Sequence, residues 1–198
     1  MNRFVWDMRH ADARGVPGAG VGDKGLTGPL ALPGAYAVRI TIGESVHSHP
    51  FTLMADPNAA GTDDDLKAQL ELLLRIRDKR SETSGAVHTI DDMRRQVGQW
   101  ESRAEGNERW GLVAERADEL KGKLTSVEDV LIQRKVDGQL DGIGHPAGLD
   151  AKLGELSVVV SSGDYGPTQQ ATELCDELVE RVAQSGLVGR RGLAGVRA

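Results

Sequence analysis

Apolar residues recur at steps of three and four along most of the chain after residue 62, a spacing that predicts helices. The longest such stretch runs from 62 to about 105. Thr62 and Asp65 have the spacing of a capping box at its N-terminus. Gly85 weakens the middle, but the periodicity resumes nearly in phase, so we predict one continuous helix. Its apolar positions are Leu66, Leu70, Leu73, Ile76, Val87, Ile90, Val97 and Trp100.

Three shorter helices are predicted after it, at about 108–135, 147–161 and 168–185, which gives an antiparallel helical bundle or coiled-coil hairpin over 62–187. Asn107 and Thr168 are predicted N-caps. The pattern is lost over 188–198, where we expect a disordered tail. The inward positions are Trp110, Val113, Ala117, Leu120, Leu124, Val127 and Leu131 in the second helix, Leu149, Leu153, Leu156 and Val160 in the third, and Ala171, Leu174, Leu178 and Val182 in the fourth.

Before residue 58 the period changes from helical to alternating, which predicts β-strands. Residues 3–9 alternate well enough for one strand. Residues 35–42 form the clearest strand, with Tyr36, Val38, Ile40 and Ile42 on one face, and 51–55 can pair back on it as a hairpin. Two or three strands do not make a stable sandwich alone. We therefore read 1–57 as a partial β-sandwich whose other strands precede Met1, or whose strands lean on the helices.

A Gly- and Pro-rich stretch over 10–34 is predicted to be a long, solvated loop. It does not have the setting of a phosphate-binding loop, because no strand and helix flank it. Lys24 is also followed by Gly25 where such a loop needs Ser or Thr.

Composition narrows the function classes. Aromatic residues make up 4% of the chain, so the core has to be aliphatic. The net charge of −6 argues against nucleic-acid binding, and no apolar run approaches the about 20 residues of a membrane span. The single cysteine, Cys175, excludes an internal disulfide and a Cys-based zinc site, and is predicted to be a small buried hydrophobe. The chain starts on a predicted strand without an export segment, which suggests part of a longer protein.

Few residues suggest chemistry. No Gly-x-Ser-x-Gly motif occurs, the lone thiol lies within a predicted helix, and we predict no catalytic site and no cofactor. His47 and His49 share a face if their segment is extended, so they are weak candidates for a metal site, against the alternative of an exposed turn. Trp6, Trp100 and Trp110 could stack on sugar, although packing is the simpler interpretation. Trp6 remains the possible ligand contact.

Four segments together resemble a known arrangement: NRFVWDMRH, GPLALPGAYAVRITIGE, PFTLMADPN and DLKAQLELLLRIRDKRSE. They are similar to the C-terminal region of bacterial secreted β-propeller proteins of BNR-repeat or sortilin (VPS10) type, often labelled glycosyl hydrolases. The resemblance covers about 1–187, including PTQQATELCDELVERV in the last helix. It implies closing strands of an immunoglobulin-like accessory domain followed by a helical bundle. It also places any catalytic site on the propeller, and no catalytic residue carries over to this chain.

The expected fold class is therefore α+β, mainly α: a partial immunoglobulin-like antiparallel β segment followed by an antiparallel helical bundle. The expected function is a non-catalytic accessory module of a secreted propeller protein, whose partners are its own propeller domain or a second copy bound through the helices. One alternative is a glycoside hydrolase fragment that contacts glycan through Trp6 and the 10–34 loop. Another is a stand-alone coiled-coil adaptor.

Overall fold

The computed structural model of the chain describes residues 3–16, 26–104, 110–134 and 145–194. Within these ranges an antiparallel two-stranded sheet precedes four helices, which confirms the α+β, mainly α, class. The elements are β1 (Gly34–Ile42), β2 (Ser45–Leu53), α1 (Asp63–Ala104), α2 (Gly111–Leu131), α3 (Leu149–Val160) and α4 (Gln169–Ala194).

Helix α1 is the long axis of the molecule. Its 42 residues span about 63 Å, and they continue through Gly85 as predicted. The predicted capping box is present: the Asp65 amide donates to Thr62 Oγ1 (3.2 Å), and the Thr62 amide donates to Asp65 Oδ2 (2.9 Å). Hydrogen bonds from the Thr62 hydroxyl and amide lower the pKa of Asp65. The helix therefore starts at a fixed residue, directly after the β-region.

Helices α2 and α3 together behave as one broken helix that runs antiparallel to α1. Thr125 in α2 accepts a hydrogen bond from Arg94, and Val160 at the end of α3 accepts one from Gln69. Where the two helices meet, a Cβ on Gly148 would lie 2.6 Å from the Cα of Ile132. Only glycine permits this contact, so the end of α2 and the start of α3 abut directly.

Helix α4 packs against the other three helices and runs parallel to α1. Its N-terminus is capped by Thr168, whose hydroxyl accepts from the Ala171 amide (3.2 Å), as predicted. Arg75 of α1 contacts Asp176 of α4 at 2.5 Å. The bundle thus has three lines of helix: α1, the broken α2–α3 line, and α4.

The core between these lines is aliphatic, as the composition predicts. All four inward positions predicted for α3 are buried, and Cys175 is 0% exposed. Burial raises the pKa of its thiol. Three predicted inward positions are wrong, since Trp100, Trp110 and Leu174 are substantially exposed. The buried cluster is centred on Leu72, Leu73, Ile76, Val87, Ile90, Leu124, Leu131, Leu149, Leu153, Leu156, Cys175, Leu178 and Val182.

The exposed residues among the predicted inward positions lie where the bundle ends or where another residue takes the inward position. Trp100 lies in the last turns of α1, and Trp110 directly precedes α2. Trp100 packs with the guanidinium of Arg103, 5.2 Å from the ring centre. In α4 the inward step falls on Cys175, so the neighbouring Leu174 points away from the core.

The strand predicted over 3–9 is wrong. Only Arg9 forms a β-bridge there, with Leu30. Met8 has a φ of 60°, which no extended strand permits, and the Trp6 indole N–H donates to the Arg9 carbonyl three residues on. The segment therefore curls before it can pair as a strand.

Residues 8–13 and 26–31 run antiparallel and form what we call the neck. The neck links the sheet to the bundle, because the chain that leaves it at Arg14 docks on α1. The Arg14 amide donates to Ser81 Oγ (3.0 Å), and Val16 is part of the core. The predicted solvated loop is thus wrong at Ala13 and Val16, which are buried, and 17–25 lie outside the described residues. The neck bonds run from Ala31 N to Met8 O (2.8 Å), His10 N to Pro29 O (2.9 Å) and Ala13 N to Leu26 O (2.7 Å).

Other boundaries also differ from prediction. The second strand begins at Ser45, earlier than the predicted 51–55, because a tight turn at Gly43-Glu44 lets pairing start at once. Helix α4 extends to Ala194, past the predicted end at about 185, so 188–194 are helical where a disordered tail was expected. Helix growth adds one backbone bond per residue once the helix exists, which offsets the glycines there. The predicted N-cap Asn107 lies outside the described residues.

A buried ion pair crosses the bundle at the level of the α2–α3 break. Arg80 of α1 is 0% exposed and binds Asp150 through two hydrogen bonds, Nε to Oδ1 at 3.1 Å and Nη2 to Oδ2 at 2.8 Å. Asp150 lies in the first turn of α3, where the helix dipole favours a negative charge. Ser84, one turn along α1, donates to the Gly15 carbonyl (2.8 Å) and so ties the neck to the same level.

A second cluster lies on the α2 side of the break. Glu128 is buried and accepts from Arg94 at 2.6 Å and from Arg134 at 2.7 Å. Arg134 also bonds both oxygens of Asp91 (2.9 and 2.7 Å). Desolvation alone would raise the pKa of Glu128, but the hydrogen bonds and charges of Arg94 and Arg134 outweigh it, and the pKa is lowered.

We expect Asp150→Ala to lower the free energy of unfolding by about 3–5 kcal/mol, because it removes the carboxylate that compensates a fully buried guanidinium. Urea unfolding followed by circular dichroism measures the change. The matched control is Asp176→Ala, which breaks the exposed pair with Arg75 and should cost about 1 kcal/mol or less. Equal losses in the two variants would show that the buried pair contributes no more to the free energy of unfolding than the exposed pair does.

We expect Glu128→Gln to destabilise the chain by about 1.5–3 kcal/mol at neutral pH. The folded-state pKa of Glu128 is lowered, so its stabilisation is present above the unfolded pKa and is lost as the pH falls through the folded pKa. The gap between wild type and variant should therefore close below about pH 4. Urea titrations over a pH series test this, with the exposed Glu115→Gln as control. A gap that stays constant with pH would contradict the assignment.

Candidate functional site

The β1–β2 hairpin stands apart from the bundle and packs against none of the helices to any extent within the described residues. Its two strands pair over nine residues each, from Gly34 opposite Leu53 to Ile42 opposite Ser45. A two-residue turn joins them. Gly43 is the first turn residue and has a φ of 58°, as in a type II′ turn, which matches the twist of the flanking strands.

The register divides the hairpin into two faces of different character. The apolar face consists of Tyr36, Val38, Ile40, Ile42, Ser45, His47, His49, Phe51 and Leu53. It carries no acidic, Lys or Arg side chain. Val38, Ile40 and Ile42 are 48%, 53% and 68% exposed, although antiparallel sheets normally bury one apolar face. A contiguous exposed row of β-branched side chains is typical of a surface that another protein covers.

An aromatic cluster closes the base of the apolar face. The rings of Tyr36 and Phe51, which are cross-strand partners, stack with centroids 5.8 Å apart. Trp6 packs on both, at 5.6 Å from Tyr36 and 6.1 Å from Phe51. The Tyr36 hydroxyl donates to the Leu32 carbonyl (2.6 Å). These contacts fix how the hairpin leaves the neck.

The structure places all three predicted site residues on the apolar face. Trp6 lies at its base, where its ring contacts two other rings and its N–H is bonded to Arg9. His47 and His49 lie toward the tip, opposite Ile40 and Val38, and both are exposed on a strand instead of a turn. Within the described ranges no three His, Cys, Asp or Glu side chains are grouped to hold a metal ion. The two histidines remain a two-ligand candidate.

The concave feature between α1 and α4 has a different character. It is an open groove lined mostly by charged residues, in which Arg75 pairs with Asp176 and Lys79 with Glu82. Exposed pairs of this kind are screened by water and contribute little to stability. The groove therefore adds to packing between the two helices, and the hairpin is the stronger candidate site.

The alternation of the hairpin was predictable from the sequence, but its exposure was not. Val38, Ile40 and Ile42 were expected to be covered, either by the helices or by further strands, and the structure leaves them open. One signal was available. Strand β1 has a single charged residue, Arg39, and that residue falls on the opposite face.

Comparison of the chain with protein-family models, with curated proteins and with solved structures finds no match. The resemblance to secreted β-propeller proteins therefore stays a prediction. Of the helices in the described ranges, none is both long enough and apolar enough to cross a membrane.

We expect Phe51→Ala to loosen the hairpin without affecting the bundle. Aromatic pairs contribute about 0.5–1.5 kcal/mol beyond their burial, so β1 and β2 amides should exchange up to about tenfold faster. Hydrogen–deuterium exchange with mass spectrometry measures this, with α1 peptides as internal reference. Thr52→Ala, on the opposite face, is the matched control and should leave exchange unchanged. Faster exchange in α1 as well would show that the cluster supports the bundle too.

Proposed function

We propose that this chain is a non-catalytic interaction module, in which a rigid helical bundle presents a β-hairpin to another protein. The observation that carries the proposal is the exposed apolar face of the hairpin. Three of its β-branched side chains are about half exposed or more, and no helix in the described ranges covers them. An isolated two-stranded hairpin is marginal in water, so such a face gains stability when a further layer covers it.

The way the hairpin is attached supports the same proposal. The neck joins it to α1 through Arg14 and Val16, and the aromatic cluster sets its direction. A hairpin held in a fixed direction loses little conformational freedom when it binds. The bundle then serves as a support, with its own core complete without the hairpin.

We propose a β-sheet of a secreted β-propeller protein as the partner, in line with the family resemblance. The apolar face has the chemistry for it, since a flat row of Tyr, Val and Ile packs well on another sheet. On this proposal the module acts outside the cytoplasm, as the closing part of an immunoglobulin-like accessory layer, and any hydrolase chemistry belongs to the propeller.

Glycan contact is the second candidate, because Trp6, Tyr36 and Phe51 form a half-exposed aromatic group. Against it, Trp6 already packs on two rings, and its N–H is bonded within the chain. A glycan array probed with the folded wild-type chain separates the candidates. Binding lost in Trp6→Ala would favour glycan contact over the protein partner.

The protein-partner proposal is tested by placing a photoreactive benzoylphenylalanine at Ile40 and irradiating the protein in the organism that encodes it. We expect a cross-linked product that mass spectrometry identifies as a β-propeller polypeptide. The matched control carries the same group at Asp118, on the exposed surface of α2. No product at Ile40, the same product at Asp118, or products that contain no polypeptide with a propeller beside further copies of this chain would contradict the proposal.

The double variant Ile40→Lys, Ile42→Lys separates a contact role from a folding role. Both side chains are largely exposed, so we expect the free energy of unfolding to change by only about 0.5 kcal/mol. In the same variant, the cross-link from a photoreactive group at Val38, which lies beside Ile40 on the apolar face, should be lost. A large loss of stability would show that the face is part of this chain's own fold.

A further inference from the structure

The two edges of the hairpin differ in their ability to accept another strand. In an antiparallel pair, hydrogen-bonded and non-hydrogen-bonded residue pairs alternate, and residues of the second kind direct their N–H and C=O outward. The two-residue turn makes Ile42 and Ser45 a hydrogen-bonded pair, which sets the alternation. The outward residues are therefore Ala35, Ala37, Arg39 and Thr41 on β1, and Val46, Ser48, Pro50 and Thr52 on β2.

Pro50 confirms this alternation and blocks one edge. It lies opposite Ala37 in a pair that needs no N–H from it, and its missing N–H leaves a gap in the outer edge of β2. The edge of β1 has no proline. Among the described residues, no backbone hydrogen bond reaches the outward groups of Ala35, Ala37, Arg39 or Thr41. The open edge is thus β1.

We propose that the β1 edge pairs with the β1 edge of a second copy of this chain, antiparallel about a two-fold axis at Val38. The proposal rests on the proposed function in one respect, that the hairpin is a contact element. It adds the partner at the edge, whereas the apolar face remains the surface for the propeller protein.

The register follows from the sequence of β1. Val38 is the midpoint of Gly34–Ile42, so an axis there uses the whole strand. Tyr36 then lies opposite Ile40 of the second copy, an aromatic and β-branched pair of the kind that stabilises sheets. Arg39 lies opposite Ala37. An axis at Arg39 would place two arginines opposite each other, and an axis at Ala37 would bring Pro33 against Thr41.

Charge does not oppose the pairing of two copies at this edge. The chain carries a net charge of −6, which repels copies in general, but β1 has no acidic residue and a single cation that the register keeps away from itself. The result is a four-stranded sheet in the order β2, β1, β1, β2. Its outer edges are the two β2 strands, and Pro50 discourages further growth at each. A closed two-fold pair, not a fibre, is the expected product.

A cysteine at the axis tests the register. Val38 and its copy form a non-hydrogen-bonded pair with Cα atoms about 4.5 Å apart, within disulfide range. We expect Val38→Cys to form an intermolecular disulfide under mild oxidation. Ile42→Cys is the matched control, since it would lie opposite Gly34 and should remain reduced. The native thiol of Cys175 is 0% exposed and stays out of the reaction. Equal cross-linking of both variants, or none at Val38, would overturn the register.

A proline at the edge tests the pairing itself. Ala37→Pro removes an outward N–H and leaves the hairpin's own hydrogen bonds intact, so we expect the wild-type dimer to become a monomer by light scattering. Ser48→Pro makes the same change on the β2 edge and should remain dimeric. A monomeric wild type, or a dimeric Ala37→Pro, would overturn the proposal. A monomer that still cross-links to a propeller protein from Ile40 would refute the dimer alone, and a dimer without that cross-link would refute the proposed function alone.

Discussion

The ion pair between Arg80 and Asp150 is the constraint on which the bundle depends. A guanidinium that is 0% exposed costs several kcal/mol unless its hydrogen bonds are satisfied, and Asp150 satisfies two of them. Asp150 belongs to the first turn of α3, so the ion pair fixes the position of α3 along the axis of α1. We infer that the pair sets the register of the helices, a role that apolar contacts alone perform less strictly.

The charges around the helix break follow from the same geometry. Asp150 lies at a helix N-terminus, where the dipole favours it, whereas Glu128 lies near the C-terminal end of α2, where the dipole does not. Glu128 accordingly has two arginine partners, one of them Arg94 on α1. At the break, the end of α2 and the start of α3 are therefore each bound to an arginine of α1, Arg94 and Arg80. Ser84 of α1 also bonds Gly15, just after the neck, near the α2–α3 break. The position of the hairpin therefore depends on the same part of α1.

The sequence was sufficient for the helices and for the hairpin, because both depend on local periodicity. Thr62 and Thr168 were predicted correctly as helix starts, and all four residues predicted to face inward in α3 are buried. Arg80 could not be recognised, since a buried arginine and a surface arginine look alike within a helical pattern. Met8 could not either, because its φ of 60° depends on tertiary contacts.

The candidate site was predictable in part for the same reason. Alternation placed Val38 and Ile40 on one face, but it does not distinguish a covered face from an open one. That distinction needs the three-dimensional position of the bundle.

An open apolar hairpin is a hazard for any protein, because exposed strands recruit other chains. Natural proteins reduce the hazard with charged or proline residues at the edge. Here β2 has Pro50, while the apolar face has no charged guard and the β1 edge has only Arg39. Proline protects one edge of the hairpin, whereas the other edge and the apolar face are unprotected. This difference is best explained by binding of another polypeptide at the unprotected surfaces. The asymmetry of the hairpin is thus the strongest physical argument that its exposed side is covered when the protein works.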